Sequence, residues 1–324
     1  MTIMQPTTAL SVIIPVYNSA AILPELVRQL AELLPSLASA HEIILVNDGS
    51  RDESWQVIRQ LAEAYPAVHG IAMMRNYGQH NALLCGIRAA RHGIIVTMDD
   101  DLQHPPEEIP RLLEKLAEGY DVVYGTPREE QHGLLRDLAS QITKLVLQNA
   151  MGADTARKVS AFRVFSTRIR NAFADYRSPF VSIDVLLTWG TTRFAAIPVK
   201  HSPRSQGVSN YSFRKLLTHA FNMMTGFSVM PLQIASFLGF GCALFGLLVL
   251  IYVVGRYLVL GYSVPGFPFL SSIIAIFSGA QLFALGIIGE YLARMHFRAM
   301  EKPTYVMGDQ TNNDTSISHQ KERP

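Results

Sequence analysis

Ile94-Ile95-Val96-Thr97-Met98-Asp99-Asp100-Asp101 is the stretch that decides the fold. Apolar and β-branched residues run straight into three carboxylates. A short apolar run ended by a polar turn reads as a strand buried on both faces. Runs of the same kind occur at Leu10–Val16, Glu42–Val46, Gly70–Met74 and Asp121–Tyr124. Between them, Ile22–Leu37, Trp55–Ala64, Asn81–Ala90 and Pro106–Glu118 have the apolar spacing of helices. Strand–helix alternation predicts an α/β fold, a mostly parallel sheet flanked by helices on both faces.

Ligands of such sheets bind beyond the carboxyl ends of the strands. The residues expected there are Tyr17-Asn18, Asn47-Asp48, Arg75-Asn76 and Asp99-Asp100-Asp101. Three adjacent carboxylates repel one another unless a cation neutralises them, and hard oxygen donors suit Mg²⁺ or Mn²⁺. In an extended segment Asp99 and Asp101 share a side, and Gln103 adds an oxygen. Helix capping is the competing reading of the cluster. Asp48 lies in the turn Asn47-Asp48-Gly49-Ser50, suited to accept from a base N–H or a ribose hydroxyl, or to cap a helix. His104 reads as a solvated turn histidine. No Gly-x-Gly-x-x-Gly follows the first strand and no Gly-Lys-Ser/Thr loop is present, which disfavours the usual dinucleotide and P-loop folds.

Charge divides the chain. Charged residues make up 17% of it, against roughly 25% in an ordinary soluble domain. The deficit is concentrated between Lys215 and Glu290, where Arg256 is the one Asp, Glu, Lys or Arg. Leu232–Gly255 and Phe267–Gly289 are long enough to cross a bilayer as helices. Their glycines suit close helix contact. Arg214 and Lys215 before, with Arg294, Arg298 and Lys302 after, put both termini in the cytoplasm by the positive-inside rule. The N-terminus shows no signal peptide. The expected organisation is a cytoplasmic domain (1–210), an amphipathic interfacial helix (211–230), two transmembrane helices within 231–292 (about 232–255 and 267–290) and a cytoplasmic tail (293–324). The expected location is therefore an inner or plasma membrane. The basic loop Lys200–Tyr211 stands just before the interfacial helix. Arg204, Ser209 and Tyr211 in it are candidates for holding a phosphate at the membrane surface, or anionic lipid. A net charge of +2 gives no sign of nucleic-acid binding. The cysteines, Cys85 and Cys242, read as buried thiols.

Taken together, Ser11–Asn18 (SVIIPVYN), Val46–Asp52 (VNDGSRD), Arg75–His80 (RNYGQH), Asp99–Leu112 (DDDLQHPPEEIPRL), Gly119–Val123, Phe162-Arg163, Gly207–Leu216 and Gly286–Arg294 (GIIGEYLAR) resemble the family-2 glycosyltransferases with a GT-A fold. The membrane-anchored branch acting on polyprenyl phosphate is the best match, notably its aminoarabinose and bactoprenol-glucose enzymes. The resemblance covers nearly all of residues 9–306. It implies inverting transfer of a sugar from a nucleotide sugar, with a UDP donor favoured, to a polyprenyl phosphate such as undecaprenyl phosphate. Pro15, Tyr17, Asn18 and Asp48 would hold base and ribose, with Arg75, Asn76 and Asp100 in the same nucleotide-sugar site. Asp99, Asp101 and Gln103 would bind metal and diphosphate, with Asp101 catalytic, and Arg163 and Arg204 would contact phosphates. A homo-oligomer, by resemblance a tetramer, would assemble through the spans and a tail strand around Pro303–Val306.

One departure stands out. Relatives of this kind often carry an aspartate, proposed as base, five or six residues before the arginine matching Arg163. Here Arg157 and Lys158 occupy those places. The chemistry tolerates the loss, because a phosphate monoester has a second pKa of about 6 and is mostly a dianion at neutral pH. It can attack without giving up a proton, and Arg157 and Lys158 would help to hold it. Asp184 is a further carboxylate candidate. Competing functions are a processive polysaccharide synthase and a non-catalytic membrane scaffold. The first lacks its Gln-x-x-Arg-Trp motif here, and the second would not need three intact aspartates.

Overall fold

The computed structural model describes residues 9–127, 159–178, 180–201, 230–261 and 266–311. They fall into two compact units, one from the described residues up to 201 and from 301 onward, the other from 230–300.

The first unit is built on an eight-stranded sheet. Its strands are β1 (Ala9–Val16), β2 (Ala40–Asn47), β3 (Val68–Met73), β4 (Ile94–Thr97), β5 (Val122–Pro127), β6 (Arg163–Ser166), β7 (Phe194–Val199) and β8 (Met307–Gln310). Their order across the sheet is β7-β5-β6-β4-β1-β2-β3-β8. β4, β1, β2 and β3 run parallel, with Ser11 opposite both Glu42 and Ile95. β6 and β8 are antiparallel to their neighbours. The sheet is thus mixed but mostly parallel, as expected.

The helices are α1 (Leu23–Leu37), α2 (Ser54–Ala64), α3 (Gln79–Ala89), α4 (Ile109–Ala117, after a 3-10 turn at Pro106–Glu108) and α5 (Ile183–Gly190). β1 shows why its sequence is apolar on both sides. Val12 and Ile14 join the cluster formed with Leu26, Leu30 and Leu34 of α1, Ile58 of α2 and Leu112 of α4. Ile13 points the other way, where a Cβ on Gly86 of α3 would fall 2.4 Å from its Cγ2. The strand is sandwiched between helical layers, so alternation disappears from its sequence. Burying each large aliphatic side chain contributes roughly 1.5–3 kcal/mol.

At the amino end of β2, Glu42 is 2% exposed. It accepts from Ser11 Oγ at 2.6 Å and from Arg91 N and Nε at 2.7 and 2.9 Å. Burial works against its charge, but these donors outweigh burial and hold its pKa below the ordinary 4.5. A depressed carboxylate stabilises the fold above its unfolded-state pKa and loses that contribution as pH falls through the folded value. Glu42→Gln is therefore expected to lower stability by about 1–3 kcal/mol at pH 7 and to flatten the acid limb below pH 4.5. Thermal midpoints of both proteins from pH 3 to 7 check this; parallel curves would refute it.

The tail departs from expectation. The strand forms at Met307–Gln310 instead of Pro303–Val306, and it pairs with β3 of the same chain. Thr311 continues the contact, its N–H donating to Gly70 O at 3.0 Å.

The second unit is two helices, α6 (Met230–Leu260) and α7 (Phe267–Ala299). Leu232–Arg256 (25 residues) and Ile276–His296 (21 residues) are long and apolar enough to cross a membrane. At 1.5 Å per residue both reach the roughly 30 Å of a hydrocarbon core. Phe237 and Leu258 are each 76% exposed, which in water would leave a large apolar surface bare. Of the glycines expected at helix contacts, Gly246 alone meets the other helix, where a Cβ would lie 2.7 Å from Phe277. Gly239, Gly241, Gly279, Gly286 and Gly289 have open space around them. The interfacial stretch 211–229 lies outside the described residues, as do Arg157, Lys158, Arg204, Ser209 and Tyr211.

Candidate active site

Parallel pairing puts the carboxyl ends of β1, β2, β3 and β4 at one edge of the sheet. From β1 the chain steps to β2 and β3 on one side, and β4 lies on the other. Connections that diverge in this way open a crevice between the ends of β1 and β4.

Asp100 bridges that crevice. Its Oδ2 accepts from Ser19 Oγ at 2.5 Å and from Tyr17 N at 3.2 Å. Burial raises its pKa, the two donors oppose that shift, and the neighbouring Asp101 adds to it. The other two aspartates take different partners. Asp99 Oδ1 accepts from Gln79 Nε2 at 2.5 Å, and Asp101 Oδ1 accepts from Gln103 N at 3.1 Å. Between them and Gln103, Leu102 turns the backbone with φ 59. Asp100 thus turns to the β1 end.

The turn after β1 is tied to the turn after β2. Asn18 adopts φ 55, its N–H donates to Ser50 Oγ at 3.0 Å, and its Oδ1 accepts from Arg51 N at 2.8 Å. Ser19 N donates to Ser54 Oγ at 2.9 Å. Tyr17 is 43% exposed at the mouth of the crevice, and Pro15 sits within β1 opposite Val46.

Asp48 is 3% exposed. Its oxygens accept from Tyr77 N at 2.6 Å and Gly78 N at 2.9 Å. Burial raises its pKa and the two amides counter it. Each oxygen keeps a second lone pair for a ligand donor. The fit depends on Gly49, whose φ is +64 and whose Cβ would lie 2.5 Å from Asn76 N. The Arg75–Gly78 loop is thereby pressed onto the β2 turn. Arg75 and Asn76 are exposed there, and the Arg75 guanidinium lies 4.5 Å from the Tyr77 ring centre.

Arg163 and Asp184 lie against each other. Arg163 is 2% exposed, and its guanidinium binds Asp184 directly. Tyr124 Oη donates to the same Asp184 oxygen at 3.1 Å, and burial with that carboxylate holds the phenol well above its usual pKa. The structure brings these two expected site residues together as a buried pair. His104 departs from its expected place in solvent. It is 7% exposed, stacked on Phe162 at 5.3 Å and edge-on to His201 at 5.2 Å. Burial, with His201 beside it, pushes its pKa down to about 4, so it is neutral at pH 7.

The hydroxyls of Ser19, Ser50 and Ser54 and the carboxamide of Gln79 were not anticipated. Their signal was the density of small polar residues at strand ends, in Asn18-Ser19 and Asn47–Ser54. Among the described residues no three His, Cys, Asp or Glu side chains gather into a metal cage. The donor set still fits a hard divalent ion. Mg²⁺ is usually held by one or two carboxylates, with substrate phosphates completing the shell.

The Glycosyl transferase family 2 model matches residues 11–177. Relatives align over almost the whole chain. The undecaprenyl-phosphate 4-deoxy-4-formamido-L-arabinose transferase of Shewanella sediminis is 37% identical over 92% of this chain and 91% of its own. That of Klebsiella pneumoniae is 33% identical over 98% of each. Among solved structures, glucosyl-3-phosphoglycerate synthase of Mycobacterium tuberculosis, in complex with Mn²⁺ and UDP-glucose, superposes with a TM-score of 0.51. It is 18% identical over 67% of this chain and 77% of its own, and so shares the fold.

Proposed function

This chain belongs to glycosyl transferase family 2, and we propose that it carries a sugar from a nucleoside diphosphate, favoured as UDP, to undecaprenyl phosphate at the cytoplasmic face of the membrane. One observation carries the reading: relatives named for undecaprenyl phosphate align over the catalytic unit and both apolar helices alike. A water-soluble donor and a membrane-bound acceptor need both parts in one chain.

Pro15, Tyr17, Asn18 and Asp48 line the base and ribose end of the crevice, with Arg75 and Asn76 at its rim. Asp99 and Asp101, with Gln103, would hold Mg²⁺ or Mn²⁺. That ion, when bound, offsets the charge that develops on the departing diphosphate. Asp100 keeps the β1 turn against the β4 end, which fixes the separation of the nucleotide and diphosphate subsites. Arg157, Arg204, Ser209 and Tyr211 take the acceptor phosphate. The dianionic phosphate oxygen attacks the anomeric carbon from the side opposite the leaving diphosphate, and configuration inverts. This nucleophile carries no proton that must be removed. The pairing of Asp184 with Arg163 is consistent with chemistry that needs no free carboxylate there.

Purified protein incubated with undecaprenyl phosphate, Mg²⁺ or Mn²⁺ and a panel of nucleotide sugars is expected to yield a lipid-linked sugar from one donor. Absence of product across the panel, together with no nucleotide binding by calorimetry, would sink the proposal.

A further inference from the structure

Residues 304–311 follow the second apolar helix, yet they pack within the catalytic unit and grip both sides of one loop. On the near side is β3. Met74 N donates to Val306 O at 3.0 Å, Met73 pairs with Met307, and Ile71 pairs with Gln310. A Cβ on Gly308 would lie 3.1 Å from Met74 Sδ. On the far side is α3. The Arg88 guanidinium lies 5.7 Å from the Tyr305 ring centre, and Arg88 Nη1 donates to Thr304 Oγ1 at 3.5 Å. Thr304 is 6% exposed. The Tyr305 hydroxyl meets the Cys85 thiol, which is itself buried. Arg88 is anchored in turn by the carbonyls of Ala174 and Tyr176, at 3.0 and 2.6 Å.

Between these two grips lie the Arg75–Gly78 loop and the first part of α3. Tyr77 and Gly78 give Asp48 its two backbone donors, and the first residue of α3, Gln79, holds Asp99. β3 before the loop and α3 after it are therefore both fixed by the tail. Edge protection alone would explain β8, since an unpaired strand edge invites aggregation. It would not explain why Tyr305 reaches past the sheet to Arg88 and Cys85 on the helix that leaves the loop.

We propose that the tail segment Thr304–Thr311, with Tyr305 as its principal positioning residue, sets the Arg75–Gly78 loop and through it Asp48 and Asp99 for the nucleotide donor. The reading rests on the proposed nucleotide site. Tyr305 touches no substrate and acts through the loop.

The test uses the full chain with UDP and Mn²⁺ as the probe, alongside hydrogen exchange. Tyr305→Ala is expected to weaken UDP binding about tenfold, the scale of one lost hydrogen bond with one lost cation–π contact. Exchange should rise across 74–80 and stay unchanged across β1 and β2. Tyr305→Phe keeps the ring over Arg88 and should restore most of the affinity. Tyr305→Leu, which keeps bulk without the ring's π face, carries the same readout if the alanine variant does not accumulate. UDP affinity within twofold of the parent with unchanged exchange at 74–80 would overturn the inference. So would exchange rising equally in β1 and β2, which would mark a general loss of stability. If the parent chain binds no UDP, the nucleotide reading fails, and the exchange pattern alone still decides whether Tyr305 sets the loop.

Discussion

Asp101→Ala is expected to reduce sugar transfer by at least about a hundredfold while leaving the fold intact. The three aspartates do different things for the protein itself. Asp100 ties β1 to β4 through Ser19 and Tyr17, so its loss would loosen the crevice. Asp101 accepts from Gln103 N, only two residues away. Losing that bond costs about 1 kcal/mol of stability. Asp101 stands beside two other carboxylates at the sheet's ligand edge, where hard oxygen donors suit a divalent ion. Asp101→Asn sharpens the test, because it preserves shape and removes charge. It should lose Mn²⁺-dependent UDP binding as fully as alanine does. Asp100→Ala should instead lower the thermal midpoint and transfer together. Turnover at the parent level in Asp101→Ala would mean that the metal was assigned to the wrong carboxylate.

How far sequence alone reached depends on the kind of signal each element carries. β1 to β5 were visible because strands buried on both faces are unbroken apolar runs, each ended by polar residues. β6 was not, since it is four residues long and begins with Arg163, a charge that makes sense only once Asp184 and Tyr124 are in place. β7 contains Pro198, which disfavours a central strand; the structure puts it at the sheet edge, where proline is tolerated. β8 is Met-Gly-Asp-Gln, exposed at all four residues, and has no pattern at all; it exists because β3 offers an edge. The site divides in the same way. The strand-end positions of Tyr17, Asp48 and Asp99–Asp101 follow from periodicity and topology. That Asp48 holds Tyr77 and Gly78, or that Asp100 reaches across to Ser19, depends on how loops fold against one another. Nothing local encodes that. His104 shows the opposite error: a histidine beside acidic residues suggested solvent, and the aromatic Phe162 that buries it lies far along the chain.

Arg163→Met is expected to destabilise the catalytic unit by about 3–5 kcal/mol, because it leaves Asp184 buried without its counter-charge. In a domain of this size, that lowers the thermal midpoint by roughly 10 °C. Tyr124 cannot compensate, since one neutral donor does not replace a guanidinium. The double variant Arg163→Met/Asp184→Leu separates two roles that single variants confuse. Replacing a buried ion pair by apolar residues of similar volume is often neutral or stabilising. The double variant should therefore recover most of the lost midpoint. If Arg163 serves only to join β6 to α5, sugar transfer returns with stability. If Arg163 leaves Asp184 to grip a phosphate when substrates bind, the double variant folds well and still fails to transfer, with its nucleotide affinity falling as well. The observed geometry, a guanidinium 2% exposed and bound to one carboxylate beneath a tyrosine ring, predicts the first result. A well-folded but inactive double variant would restore the phosphate-binding role that the sequence suggested.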